Sequence, residues 1–287
     1  MPSATLIGFT AILMWSLLSL LTVASGTVPP FQLAAMTFAI GGGIGAATWL
    51  VRPGAARALK QPWPVWALGV GGLFGYHALY FLALRLAPPA EAQLVSYLWP
   101  VLIVLLSALL PGERLRAHHV AGALIALAGT ALLFAGRGIS FTGAHLPGFA
   151  AAFVAAFTWA IYSVASRRFA DVPSDAVAGF CLATAALAAI SHMVFEQTHW
   201  PENLSQWLAV VALGIGPVGA AFYVWDIGMK RGDIRVLGVA SYLAPLLSTL
   251  FLVLAGYAAS SLALAAAALL IAGGGVLAAK DMIRRKA

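Results

Sequence analysis

The side chains best equipped for chemistry in this chain are aromatic, and they lie well inside long apolar runs. Trp15, Tyr76, Tyr80, Tyr97, Trp99, Trp159, Tyr162 and Tyr242 fall within such runs, with His77 and Ser96 beside them. At about 1.5 Å per helical residue, Trp15 lies about 16 Å into the first run and Trp159 about 18 Å into the sixth. On the same scale Tyr76, His77 and Tyr80 lie roughly 16 to 23 Å into the third run. Tyr97 and Trp99 lie about 9 and 12 Å into the fourth, and Tyr242 about 12 Å into the ninth. Many of these rings are too deep for the interfacial belt where Trp and Tyr usually rest. A buried indole or phenol wants a polar partner. As a set they favour a cavity in which a planar solute stacks and an ammonium meets a ring face. Tyr76 and Tyr80, at i and i+4, share one helix face, and His77 adjoins it. Packing between helices is the competing account for each ring taken singly. Trp49, Trp63, Trp66, Trp200 and Trp207 sit near run ends and suit the belt instead.

Pro100 and Pro245 fall in the same runs as Tyr97 and Tyr242. Proline removes a backbone donor and clashes with the preceding turn, so a kink there frees carbonyls that a cavity tolerates. With Ser96 and Ser241, those carbonyls suit a zwitterion, and the two prolines are read as hinges. His77 is the ionisable side chain nearest mid-membrane, and such residues mark candidate sites. A neutral ring bonded to a neighbouring helix and a titrating switch are both compatible with the sequence. Glu91, Glu196 and Asp226 lie at run ends and are read as solvated or cap-like. With no carboxylate in mid-span, transport without a coupling proton stays open.

The elements that must position these groups are transmembrane helices. Hydrophobic residues make up 62% of the 287-residue chain and charged residues 9%, against roughly 25% charged in soluble domains. Spanning hydrocarbon takes about 20 apolar residues. Runs near 4–24, 31–51, 65–85, 91–110, 118–136, 147–167, 175–195, 205–226, 234–256 and 261–280 meet that need, separated by turn-like breaks such as Pro29-Pro30, Pro88-Pro89 and Pro111-Gly112. With the N-terminus in the cytoplasm, all of the 16 Lys and Arg residues except Arg85 and Arg137 fall on the cytoplasmic side, a strong positive-inside bias. Both termini are then cytoplasmic. The net charge of +7 is spread over short connectors, which leaves no basic face for nucleic acid. The lone Cys181 excludes an intrachain disulfide and reads as a packing residue. No Lys or Arg precedes the first run, so it is kept as a helix and not as a cleaved leader.

Shifting the chain by 145 positions lays Ser96-Tyr97-Leu98 on Ser241-Tyr242-Leu243 and Pro100 on Pro245; a shift of 144 lays Trp15 on Trp159 and Ser19 on Ser163. Five runs per copy is an odd number, so the second copy enters the membrane upside down. The expected fold is an all-α membrane protein of ten helices, as two inverted five-helix repeats over residues 1–140 and 145–287 around a central cavity. Inverted repeats of this kind place substrate near the midplane.

The Gly8-to-Trp15 opening, Glu91-x-x-x-x-x-Tyr97-x-x-Pro100-Val101 followed by Gly112-Glu113-Arg114, and the Gly122-to-Gly129 helix resemble the drug/metabolite transporter superfamily, and within it the ten-helix exporters of the EamA type. The abundance of deep aromatics is similar to that of bacterial exporters of aromatic amino acids. The resemblance implies export, from a bacterial inner membrane, of aromatic or other large neutral amino acids; export of drugs or other small metabolites is the alternative. The second half has Gly256-Tyr257-Ala258 where the first has Gly-Glu-Arg, as expected for a turn facing outward. No cofactor is implied, the partners are the solute and the lipid bilayer, and the oligomeric state stays open, a monomer being sufficient.

Three motif matches are set aside. Gly214-x-Gly216-x-x-Gly219 has dinucleotide-fingerprint spacing but lies in an apolar run with no strand before it, where close helix packing is the better account. His118-His119 has no acidic or Cys partner nearby in sequence, which argues against a metal. Asn203-x-Ser205 is a sequon without meaning unless the host glycosylates. No set of nucleophile, base and orienting group occurs, which speaks against an enzyme.

Overall fold

A computed structural model describes residues 2–52, 54–112, 114–135, 141–256 and 261–281, and those residues form helices and connectors with no strand among them. Glu113, Arg137, Tyr257, Ala258 and Arg284 to Lys286, used above for motif and charge, lie outside the described residues. Among the described residues, nine helical segments are long and apolar enough to cross a membrane: Ser3–Ala24, Pro30–Leu50, Trp63–Leu86, Pro89–Ser107, Ala117–Phe134, Gly143–Phe169, Ala176–Phe195, Leu204–Arg231 and Ile234–Leu254. They are called spans one to nine below. A further apolar helix, Leu262–Ala278, is 17 residues long. The chain is an all-α, multi-pass membrane protein. Its exterior carries bare aliphatic side chains such as Leu6, Leu109, Leu204 and Leu269, as a lipid-facing surface requires.

Five spans are interrupted; span one breaks at Leu17, and the other four interruptions correspond in pairs. Span three widens into a π-helical turn at Gly71–Gly75 and span eight at Gly216–Ala220, 145 positions later. Span four breaks at Tyr97–Leu98 and span nine at Ser241–Tyr242. Pro100 and Pro245 lie in the first turn of the helices that resume, Trp99–Ser107 and Leu243–Leu254. They do not kink a continuous helix. Proline in a first turn removes a donor that has no partner there anyway, so it marks where the second piece starts.

Small residues let the helices approach. Span one packs on the second half of span eight, span two on span seven, span three on span six, span four on span nine, and span five on helix Leu262–Ala278. A Cβ on Gly8 would stand 2.8 Å from the Cα of Gly228, and one on Gly122 only 2.5 Å from the carbonyl oxygen of Gly274. Gly214 meets Ile40, and Gly219 meets Gly41. Of the fingerprint-like glycines, Gly214 and Gly219 are packing residues, while nothing lies within 4 Å of a Cβ added at Gly216; dispersion between close backbones is what joins helices in lipid.

One helix start is closed from another part of the chain. Span two begins after Pro29 without a side-chain cap of its own. The Glu196 carboxylate, at the end of span seven, accepts hydrogen bonds from the backbone N–H groups of Phe31 at 3.0 Å and Gln32 at 3.1 Å. Arg85 and His192 flank it at 3.5 and 3.0 Å. An anion at a helix N-terminus meets orphan N–H groups and the positive dipole end. Glu196 is thus cap-like as read from sequence, but its side chain is buried.

Gly122→Leu is expected to destabilise the protein by about 1–3 kcal/mol through overpacking, whereas Gly275→Leu, with nothing within 4 Å of its added Cβ, leaves stability within about 0.5 kcal/mol. Thermal melting of the two purified proteins in one detergent checks the ranking.

Candidate functional site

Between these spans lies a cavity of about 430 Å³. Tyr76, His77 and Tyr80 from span three, with Ser96, Tyr97 and Trp99 from span four, form one wall; Leu18, Phe38 and Val218 face them. Its mouth is bounded by Thr22, Val28 and Pro30 around the first connector and by Leu84 and Gln93 around the third. That end lies away from the connectors carrying Arg52, Lys60 and Arg114. A deeper recess of about 110 Å³ adjoins it, walled by Trp15, Trp99, Trp159, Tyr76, Pro217 and Phe222.

The π-turn in span three points the site's first residues inward. Leu73 O, within that turn, accepts the Nδ1–H of His77 at 2.7 Å. The bond is to the histidine's own helix and not to a neighbour, and it leaves Nε2 as the acceptor of the neutral ring. The Tyr76 and Tyr80 rings stack at 5.9 Å and 7° between planes, as their i, i+4 spacing predicts. Pro217 O, in the other π-turn, accepts the Trp15 Nε1–H at 3.0 Å. Each wide turn therefore presents a carbonyl that an aromatic side chain of the site occupies.

At the inner end the rings close up. Trp15 lies 5.0 Å from Trp225, 5.7 Å from Trp159 and 6.2 Å from Trp99, measured between ring centroids. Phe38 and Phe222 stack at 5.4 Å and 5°. Offset and edge-on pairs like these each add about 0.5–1.5 kcal/mol beyond area burial. Trp225 is fully buried, and its Nε1–H donates to Ser163 Oγ at 3.1 Å.

Beyond this plug sits a buried ion pair. Lys230 Nζ donates to Asp226 Oδ2 at 2.8 Å and to the Val172 carbonyl at 2.9 Å, and Ser174 Oγ donates to the same carboxylate oxygen at 2.5 Å. Asp226 is 3% exposed and Glu91 5%, so neither is solvated as its place near a run end implied. Helix packing covers the run ends themselves, which hydropathy does not reveal. None of these carboxylates lines the cavity. Among its described lining residues, titratable groups are limited to tyrosines and His77.

The structure brings together Trp15, Tyr76, His77, Tyr80, Ser96, Tyr97, Trp99 and Trp159, all at the cavity or its recess. Ser96 Oγ is buried without a hydrogen-bond partner, a donor and acceptor in reserve at the cavity wall. Two expected residues are not brought there. Tyr162 is 3% exposed behind the wall, its ring 5.2 Å from Trp159 and its bulk held against Gly72. Tyr242 is fully buried, and its hydroxyl donates to Tyr97 O at 3.1 Å. Sequence reasoning missed Trp225, Phe38, Phe222 and Gln93. Trp225 lies at Tyr80 plus 145, so the repeat offset contained the signal; the phenylalanines carry none that separates them from core. Of the belt tryptophans, Trp63, Trp200 and Trp207 are exposed, while Trp66 packs on Phe180 and donates to Leu59 O.

The His118-His119 pair does have an acidic neighbour, supplied by the far end of the chain. Asp281 Oδ2 lies 3.3 Å from His118 Nε2 and 3.9 Å from His119 Nε2. His119 Nδ1 accepts the Arg116 backbone N–H at 3.1 Å, and the Arg116 side chain holds Asp281 Oδ1 at 2.8 Å. That bond puts the neutral ring's proton on Nε2, facing Asp281. The group ties the last helix to span five, with ligand-type atoms of His118, His119 and Asp281 within 4.8 Å of one another.

An aromatic cavity, open at one end and plugged at the other within a bundle of apolar helices, is the layout of a membrane transporter. The EamA-like transporter family matches residues 2–135 and 146–278, and the chain belongs to that family. It is 65% identical over 265 residues to the aromatic amino acid exporter YddG of Ancylobacter novellus, covering 92% of each chain. It is 27% identical over 261 residues to the aromatic amino acid exporter YddG of Escherichia coli, covering 86% of each. A solved crystal structure with 62% sequence identity superposes with a TM-score of 0.94, covering 100% of this chain and 99% of the other.

Asp226→Asn removes the countercharge from a buried ammonium and is expected to cost about 3–5 kcal/mol. Breaking the half-exposed Arg52–Asp175 pair, 2.6 Å apart, with Asp175→Asn is expected to cost about 1 kcal/mol or less. Detergent melting temperatures of the two variants test the contrast; equal shifts contradict it.

Proposed function

We propose that this protein exports aromatic and other large neutral amino acids across a bacterial inner membrane by alternating access. The observation that carries the proposal is the lining of the cavity: stacked indole and phenol rings, a few neutral polar tips, and no carboxylate, lysine or arginine among the described lining residues. A planar side chain stacks on such walls, and its ammonium is attracted to the ring faces. Ser96 Oγ and His77 Nε2 supply hydrogen bonds for a zwitterion. The substrate class also agrees with that of the aromatic amino acid exporters that match this chain along most of its length.

Ten spans, in two opposed five-helix halves over residues 1–140 and 145–287 with both termini cytoplasmic, complete the reading. The helix pairings support it. A five-span shift exchanges the contact of spans one and eight for that of spans six and three, and returns the two–seven and four–nine contacts to themselves. In this orientation the cavity opens outward and the tryptophan plug with the Asp226–Lys230 pair closes the cytoplasmic side. With no carboxylate among the described lining residues, movement of the solute down its own gradient without a coupled proton stays open. The protein is a transporter with no catalytic step.

Counterflow of radiolabelled phenylalanine into proteoliposomes tests the proposal, with and without a pH gradient. Wild type is expected to exchange the amino acid independently of the gradient. Trp99→Ala and Tyr80→Ala each lower the rate about tenfold or more at limiting substrate, as loss of about 1.4 kcal/mol of stacking and burial requires. Unchanged rates in both variants remove the site. Exchange of lipophilic cations in place of amino acids favours the drug-exporter alternative.

A further inference from the structure

Several residues that the 145-position shift makes equivalent have opposite environments, although His77 and Phe222 share the recess. Ser96 lines the cavity with its hydroxyl unpartnered, whereas Ser241 is fully buried and donates to Leu237 O at 2.7 Å. Tyr80 lines the cavity, whereas Trp225 is sealed in the plug. The sharpest case is Tyr97 and Tyr242. The Tyr242 hydroxyl crosses from one half to the other and donates to the backbone carbonyl of Tyr97, its own counterpart, at 3.1 Å. Tyr97 does not return the bond; its side chain lines the open cavity, where it meets Gln93. Both carbonyls belong to helix breaks, where regular backbone pairing lapses and a side-chain donor is needed in lipid.

We propose that Tyr97 and Tyr242 form a reciprocal latch, in which the hydroxyl of one bonds the carbonyl of the other on whichever side is closed. The inference rests on the opposed-halves reading given under Proposed function. In the present state Tyr242 fastens the cytoplasmic side. In the reversed state Tyr97 donates to Tyr242 O, the outer mouth closes, and Tyr242 lines the cavity that then faces the cytoplasm. The two tyrosines are positioning residues for the state of the carrier, since only one of them faces the solute at a time. The latch couples the solute to the switch: a ligand that takes the Tyr97 hydroxyl from Gln93 competes with the bond that would close the mouth over it. A chain with the two rings but without one hydroxyl must lean toward one side.

The test uses single cysteines in a Cys181→Ala background in lipid nanodiscs, where a water-soluble maleimide reaches both faces. Leu84→Cys reports the open mouth, and Met229→Cys, 145 positions later and fully buried, reports the closed end. Without other changes position 84 is expected to react fast and position 229 slowly. Tyr242→Phe removes the fastening bond and is expected to lower the ratio of the two rates about three- to tenfold, the worth of one buried hydrogen bond. Tyr97→Phe weakens the reversed state and raises the ratio. Misfolding raises both rates together, so opposed movement of the ratio separates a latch from damage. A ratio that stays constant, or moves the same way in both variants, overturns the latch. The labelling uses no solute: if wild type fails to exchange phenylalanine while the ratio moves as stated, the substrate assignment falls and the latch stands.

Discussion

In hydrocarbon no backbone carbonyl or N–H can be left without a partner, and this constraint organises the molecule. A straight helix meets it internally, so irregular backbone is confined to places where something else supplies the partner. Here those places include the π-turns of spans three and eight and the breaks of spans four and nine. At three of them the partner is an aromatic or histidine side chain: His77 on Leu73 O, Trp15 on Pro217 O and Tyr242 on Tyr97 O. The same irregularity that needs polar partners also makes room for a cavity, and two of those side chains, His77 and Trp15, line it or its recess.

The bilayer sets a second requirement at the ends. Charges near the span termini are buried only where they are paired or capping. Glu196 closes a helix start that proline leaves uncapped, and Asp226 with Lys230 closes the end opposite the mouth. Rings fill the space between the cavity and that pair. The result is an asymmetric interior, with neutral stacked surfaces where a solute fits and a sealed ionic floor beneath them.

Much of this was legible in the sequence because hydrophobic length, aromatic depth and internal repetition are all written linearly. The nine spans fall within a few residues of the expected runs, and the rings placed deepest by counting, from Trp15 to Trp159, meet at the cavity. Burial at the ends was not legible. Hydropathy marks Asp226 and Glu91 as polar residues near a boundary, and only tertiary packing determines whether water reaches them. The role of the prolines was half legible: the helices do break, but the break precedes Pro100, which begins a helix and does not bend one. Tyr242 was misplaced for a related reason. Repetition equates it with Tyr97, but only Tyr97 lines the cavity, whereas Tyr242 is fully buried with its hydroxyl on the Tyr97 carbonyl. His118-His119 looked isolated because its acidic neighbour lies at the far end of the chain.

The central claim is that the ring-lined cavity between the halves is where the solute binds. Photolabelling with free p-azidophenylalanine, followed by peptide mapping, tests it most directly. Attachment within residues 76–81 and 93–99, abolished by excess phenylalanine, is the predicted result. Attachment elsewhere, or labelling of those segments that phenylalanine does not displace, contradicts the account.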